Sequence, residues 1–145
     1  MVEIPKSTDA FIVGGGPAGL TTAIALRARG CSVTVADPAV PPIDKTCGEG
    51  LMPDTLAALE RLGVRLSREH CYPFRGIRFI GGRTSVDASF PKGTGLGIRR
   101  TYLHQALIHR AQEVGATLLW GSAVKGVSGN TVAVGNAVAD DLAAV

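Results

Sequence analysis

Six residues near the start of the chain could bind a phosphate group through their backbone. The stretch Gly14-Gly15-Gly16-Pro17-Ala18-Gly19 has the spacing G-x-G-x-x-G. Gly14 lets the chain turn, Gly16 removes the side chain that would block a pyrophosphate, and Gly19 allows a helix to pack closely. A helix that begins here adds unpaired N–H groups and a partial positive charge, which favour an anion. The turn therefore predicts a binding site for the pyrophosphate of a dinucleotide.

An acidic residue follows the turn at the distance that dinucleotide recognition requires. Asp37 lies about twenty residues farther along, where its carboxylate can accept hydrogen bonds from the hydroxyl groups of an adenosine ribose. The same acid disfavours a 2′-phosphate, and therefore NADP, at this site. Asp37-Pro38 could also simply begin a turn, but its place at the end of a predicted strand favours ribose binding.

The elements that must position these residues form a β-α-β unit. A strand is predicted over residues 9–13, a helix over 17–29 and a second strand over 32–36. Pro17 suits the first turn of the helix and Gly30 its end. Because one helix joins the two strands, the strands should be parallel and the connection right-handed.

The middle of the chain predicts a functional loop, a helix and a hairpin. The loop covers residues 38–52, and its length is unusual for a passive connection. A helix then runs from Pro53 to Gly63, with Leu56, Leu59 and Leu62 as its apolar stripe. Strands over residues 77–80 and 84–88 should form a hairpin joined by Gly81-Gly82.

The last third of the chain predicts one more helix and several strands. The helix covers residues 100–114, and its apolar face comprises Leu103, Leu107, Ala111 and Val114. His104 and His109 are five residues apart, which is not the spacing of a two-histidine metal site, so we place both on the helix surface. Strand candidates follow at 117–120, 123–127 and 131–134. Residues 140–145 read as the entry to another buried strand, which suggests a fragment of a longer protein.

Composition and charge argue against several classes of protein. The 145 residues suffice for one domain, and the net charge is +3, from 15 Lys and Arg against 12 Asp and Glu. These cations are dispersed, so a nucleic-acid surface is not expected. No apolar stretch reaches the ~20 residues of a membrane span, and no secretory signal is evident, so we expect a cytoplasmic protein. Three cysteines without a C-x-x-C pair predict neither a disulfide framework nor a zinc site, and no metal is expected.

Three segments together resemble a known family. They are residues 9–20, the loop Lys-Thr-Cys-Gly-Glu-Gly-Leu-Met-Pro at 45–53, and residues 100–107, which match the pattern R-x-x-L-x-x-x-L. The combination resembles the FAD-dependent monooxygenases and reductases of the p-hydroxybenzoate-hydroxylase-like superfamily. That group includes aromatic hydroxylases, flavin-dependent halogenases and geranylgeranyl-reductase-like proteins. The loop at 45–53 is similar to one seen chiefly in the geranylgeranyl-reductase-like branch.

The resemblance implies a fold and a cofactor. The fold class is α/β, with residues 1–145 forming a Rossmann-like three-layer FAD-binding domain that has a parallel sheet and a small additional β-sheet. The cofactor is FAD, with NAD(P)H as its reductant. The family's later Asp-Gly and Gly-Asp segments and its substrate-binding sheet do not occur in this sequence. We therefore expect a truncated domain, which is the N-terminal portion of the family's fold.

The resemblance also implies roles for individual residues. Asp37 would hold the adenosine ribose, Lys45 and the Cys47-Gly48 backbone would lie beside the ribityl and ring end of FAD, and Arg100 would point toward the cofactor. A main-chain group at Val124 would contact adenine. The predicted cofactor-binding residues are Gly14, Gly16, Pro17, Ala18, Gly19, Asp37, Pro38, Lys45, Cys47, Gly48, Arg100 and Val124.

Several of these residues also have simpler interpretations. Lys45 could be a solvated surface lysine, and the pair Arg99-Arg100 could be a solvated helix start. Cations at a helix N-terminus oppose its dipole, so the pair requires an anionic partner or solvent. Cys47 is interpreted as a small loop residue, because no partner thiol is near in the sequence. Glu49 could act as an acid or base near the flavin, but no catalytic residue is identified.

The functional hypotheses belong to two classes. The first is an FAD-dependent oxidoreductase, either a monooxygenase acting on a small organic substrate or, as the loop at 45–53 suggests, a reductase of isoprenoid double bonds. The second is a nucleotide-binding module without catalysis, since the glycine turn needs only one strand and one helix. NAD in place of FAD is a further alternative. The sequence does not predict an oligomeric state.

Overall fold

The computed structural model describes residues 4–135 and 142–144 of the chain. The strands are β1 (Ser7–Thr8), β2 (Ala10–Val13), β3 (Val33–Asp37), β4 (Gly50–Leu51), β5 (Cys71–Phe74), β6 (Gly76–Gly81), β7 (Thr84–Ser89), β8 (Gly95–Ile98), β9 (Thr117–Trp120), β10 (Ala123–Ser128), β11 (Thr131–Gly135) and β12 (Leu142–Ala144). The helices are α1 (Pro17–Arg27), α2 (Pro53–Arg61) and α3 (Arg100–Glu113). No helix within the described ranges is long and apolar enough to cross a membrane.

The chain divides into two compact units, one formed by residues 1–43 and 104–145 and the other by residues 44–103. The first unit is built on a parallel sheet with the strand order β2-β3-β9. Its register pairs Val13 with Ala36 and Asp37 with Trp120. Helix α1 packs on β2 and β3 and buries Leu20 and Ile24. Strand β3 is buried along its whole length, as expected for the central strand of a parallel sheet covered on both faces.

A mixed sheet with the strand order β1-β12-β11-β10 covers the other face of the parallel sheet. Strands β10 and β11 pair with each other, and β12 connects β11 to β1. Ala36 and Leu119 of the parallel sheet form one apolar cluster with Val132 and Val134 of β11. The first unit therefore has the layers helix, parallel sheet and mixed sheet. This confirms the α/β fold with a parallel sheet and smaller additional sheets.

The second unit contains two small antiparallel sheets and helix α2. One sheet has the strand order β4-β8-β5, and the other is the hairpin β6-β7. The predicted hairpin is confirmed, although its connection is Gly82-Arg83 rather than Gly81-Gly82, because Gly81 still pairs with Thr84. Of the predicted stripe on α2, only Leu59 is fully buried. Strands β4, β5 and β8 were not predicted.

Helix α3 shows where the predicted apolar face was wrong. Its buried residues are His104, Leu107 and Ala111, so a histidine occupies the place that Leu103 was expected to share. His104 is only 1% exposed, which contradicts its predicted position on the helix surface. His109 is exposed as predicted and lies beside Glu113. The spacing of His104 from Leu107 and Ala111 allows it on the buried face, but the hydrogen-bond partner that makes a buried histidine favourable lies 89 residues away in the sequence.

The predicted entry into a strand at the end of the chain is partly testable. Residues 142–144 form β12, which pairs with β1 and β11. Residues 140, 141 and 145 lie outside the described residues. Elsewhere the predicted elements are confirmed within two residues at each end for α1, α3 and strands β2, β3, β9, β10 and β11.

Replacing Leu107 tests the core of the first unit. Leu107 is 1% exposed, so Leu107→Ala should leave a cavity and lower the free energy of unfolding by about 2–5 kcal/mol. Urea denaturation monitored by circular dichroism measures the change. The control is Val127→Ala, because Val127 is 66% exposed and its loss should cost less than about 0.5 kcal/mol. Equal losses for the two variants would contradict the assigned core.

Candidate functional site

The glycine turn connects the end of β2 to the start of α1. Gly14 has a φ of 104°, a conformation that L side chains rarely adopt, and its N–H donates to the Ala36 carbonyl at 2.8 Å. A Cβ on Gly19 would overlap the Gly14 carbonyl oxygen, so α1 can approach the turn only with glycine there. These two positions need glycine for the reasons that the sequence motif implies.

Gly15 is held by three side chains, namely the acidic partner of the motif, Asp37, and two residues that the motif does not include, His104 and Trp120. Its N–H donates to Asp37 Oδ2 at 2.8 Å, and its carbonyl accepts a hydrogen bond from His104 Nε2 at 2.7 Å. A Cβ on Gly15 would overlap the Trp120 ring and lie 3.3 Å from Asp37 Cβ. The middle glycine is therefore required by packing, although its position in the G-x-G-x-x-G spacing accepts other residues.

Asp37 lies at the end of β3, next to the turn. It is 7% exposed, and its two carboxylate oxygens accept the N–H groups of Gly15 and Ala39, each at 2.8 Å. A carboxylate offers about four lone-pair sites, so each oxygen retains capacity for one more donor. The geometry thus leaves Asp37 able to accept ribose hydroxyls while it also holds the turn.

The start of α1 is available to an anionic ligand. Its first turn has no acidic residue, and its N-cap, Gly16, makes no side-chain capping hydrogen bond. The other two helices differ: α2 carries Asp54 in its first turn, and the N–H of Arg100 at the start of α3 donates to Glu49 Oε1 at 3.1 Å. A helix N-terminus favours negative charge, and no carboxylate supplies that charge in the first turn of α1. A phosphate group could supply it instead.

The loop of the second unit presents exposed residues. Lys45, Cys47 and Gly48 are all exposed, and Cys47 Sγ accepts the N–H of Glu49 at 3.4 Å. Lys45 does not belong to a helix or strand. A Cβ on Gly48 would meet nothing within 4 Å, so the backbone is open on that side.

Glu49 connects this loop to the start of α3. Its carboxylate accepts the Arg100 N–H, and its carbonyl accepts the Ile98 N–H at 2.8 Å. Its φ is 53°, in the left-handed region that costs a non-glycine residue about 1–3 kcal/mol. The Glu49 carboxylate therefore caps the start of α3 through the backbone N–H of Arg100.

Arg100 retains an unused donor. Its Nε is buried and has no hydrogen-bond partner among the described residues. A buried guanidinium donor without a partner is costly, so an anionic or polar ligand group would fit it. The start of α1 in the first unit and this donor in the second unit each fit an anionic group of the kind that FAD carries.

The structure groups only some of the predicted site residues. The turn from Gly14 to Gly19 and Asp37 lie together in the first unit, where Pro17 begins α1, Ala18 is exposed and Pro38 is exposed just beyond β3. Val124 lies on β10, pairs with Val134 and packs its side chain against the Ala36 cluster. Lys45, Cys47, Gly48 and Arg100 belong to the second unit. The assigned roles of all these residues stay predictions.

A family comparison identifies the class of domain. Residues 7–143 match the model of the FAD binding domain. The chain belongs to the FAD-binding domain family. This membership confirms FAD as the predicted cofactor and confirms the resemblance to FAD-dependent monooxygenases and their relatives.

Two curated relatives indicate the enzymes that contain such domains. The FAD-binding domain is 35% identical over 126 residues to a menaquinone reductase of Mycobacterium tuberculosis, covering 83% of this chain and 31% of that protein. It is 32% identical over 129 residues to 6-methylpretetramide 4-monooxygenase of Streptomyces rimosus, with coverages of 83% and 31%. The chain thus spans about a third of the length of these relatives.

A solved structure shows the same fold. The FAD-binding domain superimposes on a geranylgeranyl bacteriochlorophyll reductase-like protein from Thermoplasma acidophilum with a TM-score of 0.77. The match covers 96% of this chain and 38% of that one at 21% identity. At this identity the likeness shows the fold alone.

Sequence reasoning missed Gly15, His104 and Trp120. Trp120 lies at the end of β9, the strand next to β3, where it pairs with Asp37. Its ring is 5.8 Å from the His104 ring in an edge-to-face arrangement. The only local signal for His104 is its spacing from Leu107 and Ala111, which places it on the buried face of α3. No local signal reveals that these residues converge on Gly15.

Removing the Glu49 carboxylate tests the connection between the loop and α3. Glu49→Ala should lower stability by about 1 kcal/mol, because an N-terminal capping interaction is lost. It should also speed proteolytic cleavage within residues 44–51. Glu49→Gln keeps an acceptor oxygen and should lose less. Thermal unfolding and limited proteolysis measure both effects.

The exposed Glu60 on α2 provides the matched control. Glu60→Ala removes the same side chain from a helix surface and should leave the cleavage rate of the loop unchanged. If Glu49→Ala and Glu60→Ala behaved alike, Glu49 would not hold the loop to the helix.

Proposed function

We propose that this FAD-binding domain holds the adenosine and pyrophosphate part of FAD on the turn from Gly14 to Gly19. The observation that carries the proposal is the start of α1, which has no acidic residue in its first turn and follows a turn where a Cβ on Gly15 or Gly19 would overlap its neighbours. The pyrophosphate would accept N–H groups of the turn, with the helix dipole adding a favourable interaction. Asp37 would accept the ribose hydroxyls with its remaining lone pairs.

The second unit would supply the other contacts to the cofactor. Lys45 and the Cys47-Gly48 backbone would lie beside the ribityl and ring end, which their exposure permits. Arg100 would direct its unpartnered Nε toward an acceptor on FAD. Residues 1–145 would then form a single FAD-binding domain. In it, the main chain of Val124 would contact adenine.

The reaction proposed for the protein is an FAD-dependent oxidation or reduction of a small organic substrate. FAD supplies the redox chemistry when bound, while the protein positions it and controls its surroundings. The first hypothesis is a monooxygenase that uses NAD(P)H to reduce FAD, which the similarity to 6-methylpretetramide 4-monooxygenase supports. A cytoplasmic location stays a prediction.

A reductase is the second candidate. The menaquinone reductase of Mycobacterium tuberculosis has the higher identity of the two relatives, and the loop at 45–53 resembles that of the geranylgeranyl-reductase-like branch. A reductase would transfer hydride equivalents to its substrate without consuming oxygen. Such a substrate would carry a reducible double bond or quinone.

Ligand titration tests the cofactor site. We expect FAD and ADP to bind to the protein and FMN not to compete, because the turn and Asp37 would recognise the adenosine end, which FMN lacks. NADH shares that end and should bind more weakly than FAD, because the proposed contacts of Lys45 and Arg100 are to the flavin part of FAD. Gly16→Val should abolish FAD and ADP binding by blocking the approach of the pyrophosphate, with the circular dichroism spectrum unchanged. The control is Gly81→Val, in an open position on the exposed hairpin. A clear preference for NADH, or unchanged binding by Gly16→Val, would overturn the proposed site.

Oxygen dependence separates the two reactions. Because a domain without the family's substrate-binding sheet is expected to be inactive alone, the full-length protein is mixed with FAD, NAD(P)H and either a small aromatic substrate or a polyprenyl quinone, with and without oxygen. A monooxygenase should yield a product that has gained one oxygen atom and should stall without oxygen. Anaerobic formation of a product that has gained two hydrogen atoms would reject the monooxygenase and favour the reductase. A colourless protein that binds ADP but no flavin would favour a nucleotide-binding module.

A further inference from the structure

The carbonyl of Gly15 receives a hydrogen bond that the glycine motif does not provide. The donor is His104 Nε2, at 2.7 Å and from a residue 89 positions later in the chain. A carbonyl oxygen can only accept, so the proton of this bond resides on Nε2. His104 is 1% exposed, so water cannot easily replace either partner. The contact is therefore a fixed part of the turn.

The two peptide groups on either side of Gly15 are both held. The N–H of Gly15 belongs to the peptide that joins it to Gly14, and that N–H donates to Asp37. The carbonyl of Gly15 belongs to the peptide that joins it to Gly16, and that carbonyl accepts from His104. Trp120 occupies the remaining space beside the Gly15 Cα. Neither peptide group can rotate without breaking one of these buried contacts.

Holding the Gly15 carbonyl also directs the N–H of Gly16. A trans peptide is planar, and its N–H points opposite to its C=O. With the carbonyl directed at His104, the Gly16 N–H faces away from the buried histidine. Gly16 is the position where the motif brings the backbone to the pyrophosphate. His104 thus acts on the side of the peptide opposite to the ligand.

We propose that His104 is a positioning residue for the dinucleotide site, which holds the Gly15–Gly16 peptide so that its N–H faces the pyrophosphate. His104 would not contact the cofactor itself. The proposal rests on the proposed function for the identity of the ligand, FAD. The orientation of the peptide, by contrast, is a property of the chain without any ligand.

A purely structural role for His104 would predict different results from a positioning role. If the histidine served only to fill the core, every substitution would lower stability, and the folded fraction would still bind FAD normally. A positioning role instead predicts that affinity follows the presence of a donor at the place of Nε2. Substitutions that keep or remove the donor at similar volume therefore separate the two roles.

The experiment compares His104→Gln, whose amide nitrogen can reach the Gly15 carbonyl, with His104→Met, which has similar volume and no donor. The control is His109→Gln, on the exposed face of the same helix. FAD and ADP affinities are measured from the fluorescence of Trp120, the single tryptophan of the chain. Amide hydrogen exchange of Gly15 and Gly16 is measured by NMR without ligand, and thermal unfolding is recorded for each variant.

We expect FAD affinity to depend on whether residue 104 can donate a hydrogen bond to the Gly15 carbonyl. His104→Met should weaken FAD binding by roughly five- to tenfold and speed amide exchange at Gly15, because a buried hydrogen bond is lost. His104→Gln should stay within about twofold of the parent affinity for the same reason. His109→Gln should match the parent protein in both measurements.

Two outcomes would overturn the proposal. One is parent-like affinity and exchange in His104→Met, even with a lower melting temperature. The other is an equal loss of affinity in His104→Gln and His104→Met. If His104→Met does not fold, His104→Asn replaces it, because the shorter amide cannot reach Gly15. If the parent protein binds no FAD, the proposed function fails, and the exchange rates of the ligand-free variants still decide the role of His104.

Discussion

The conformation of the glycine turn depends on the contacts made by Gly15. Asp37 accepts its N–H, His104 donates to its carbonyl, and Trp120 fills the space that a side chain would need. These three residues come from β3, α3 and β9, respectively. The turn can therefore adopt the observed conformation only when those elements are already packed together. Local sequence supplies the glycines, but tertiary structure determines the direction of their peptide groups.

The helix starts show how charge directs a ligand to one of several similar places. All three helices present N–H groups at their N-termini, yet Asp54 lies in the first turn of α2 and the Glu49 carboxylate meets the first residue of α3. Only α1 begins without a carboxylate among these described helices. The partial positive charge of a helix N-terminus is thus offset by a carboxylate at α2 and α3, but not at α1, which begins at the glycine turn. A dinucleotide pyrophosphate carries the charge that this position lacks.

The parts of the fold that were predicted are those with local signals. Pro17 and Gly30 mark the ends of α1, and β-branched residues mark β3 and β11. Strands β5 and β8 were missed because residues 71–74 include Pro73 and residues 95–98 include two glycines, and their pairing forms only across more than twenty residues of chain. In the same way, the motif predicts that Gly14, Gly19 and Asp37 belong to one site. It does not predict His104, because the contact between His104 and Gly15 spans 89 residues.

The register of the parallel sheet determines which side chains can contact Gly15. Asp37 and Trp120 are direct partners at the carboxyl ends of β3 and β9, so both side chains lie on the same face of the sheet. A slip of one residue would turn either side chain to the opposite face, where Ala36 and Leu119 now pack against β11. The slip would therefore bury a carboxylate or an indole in an apolar cluster and also release Gly15. The same pairing of strands thus fixes both the core packing on one face of the sheet and the geometry of the glycine turn on the other.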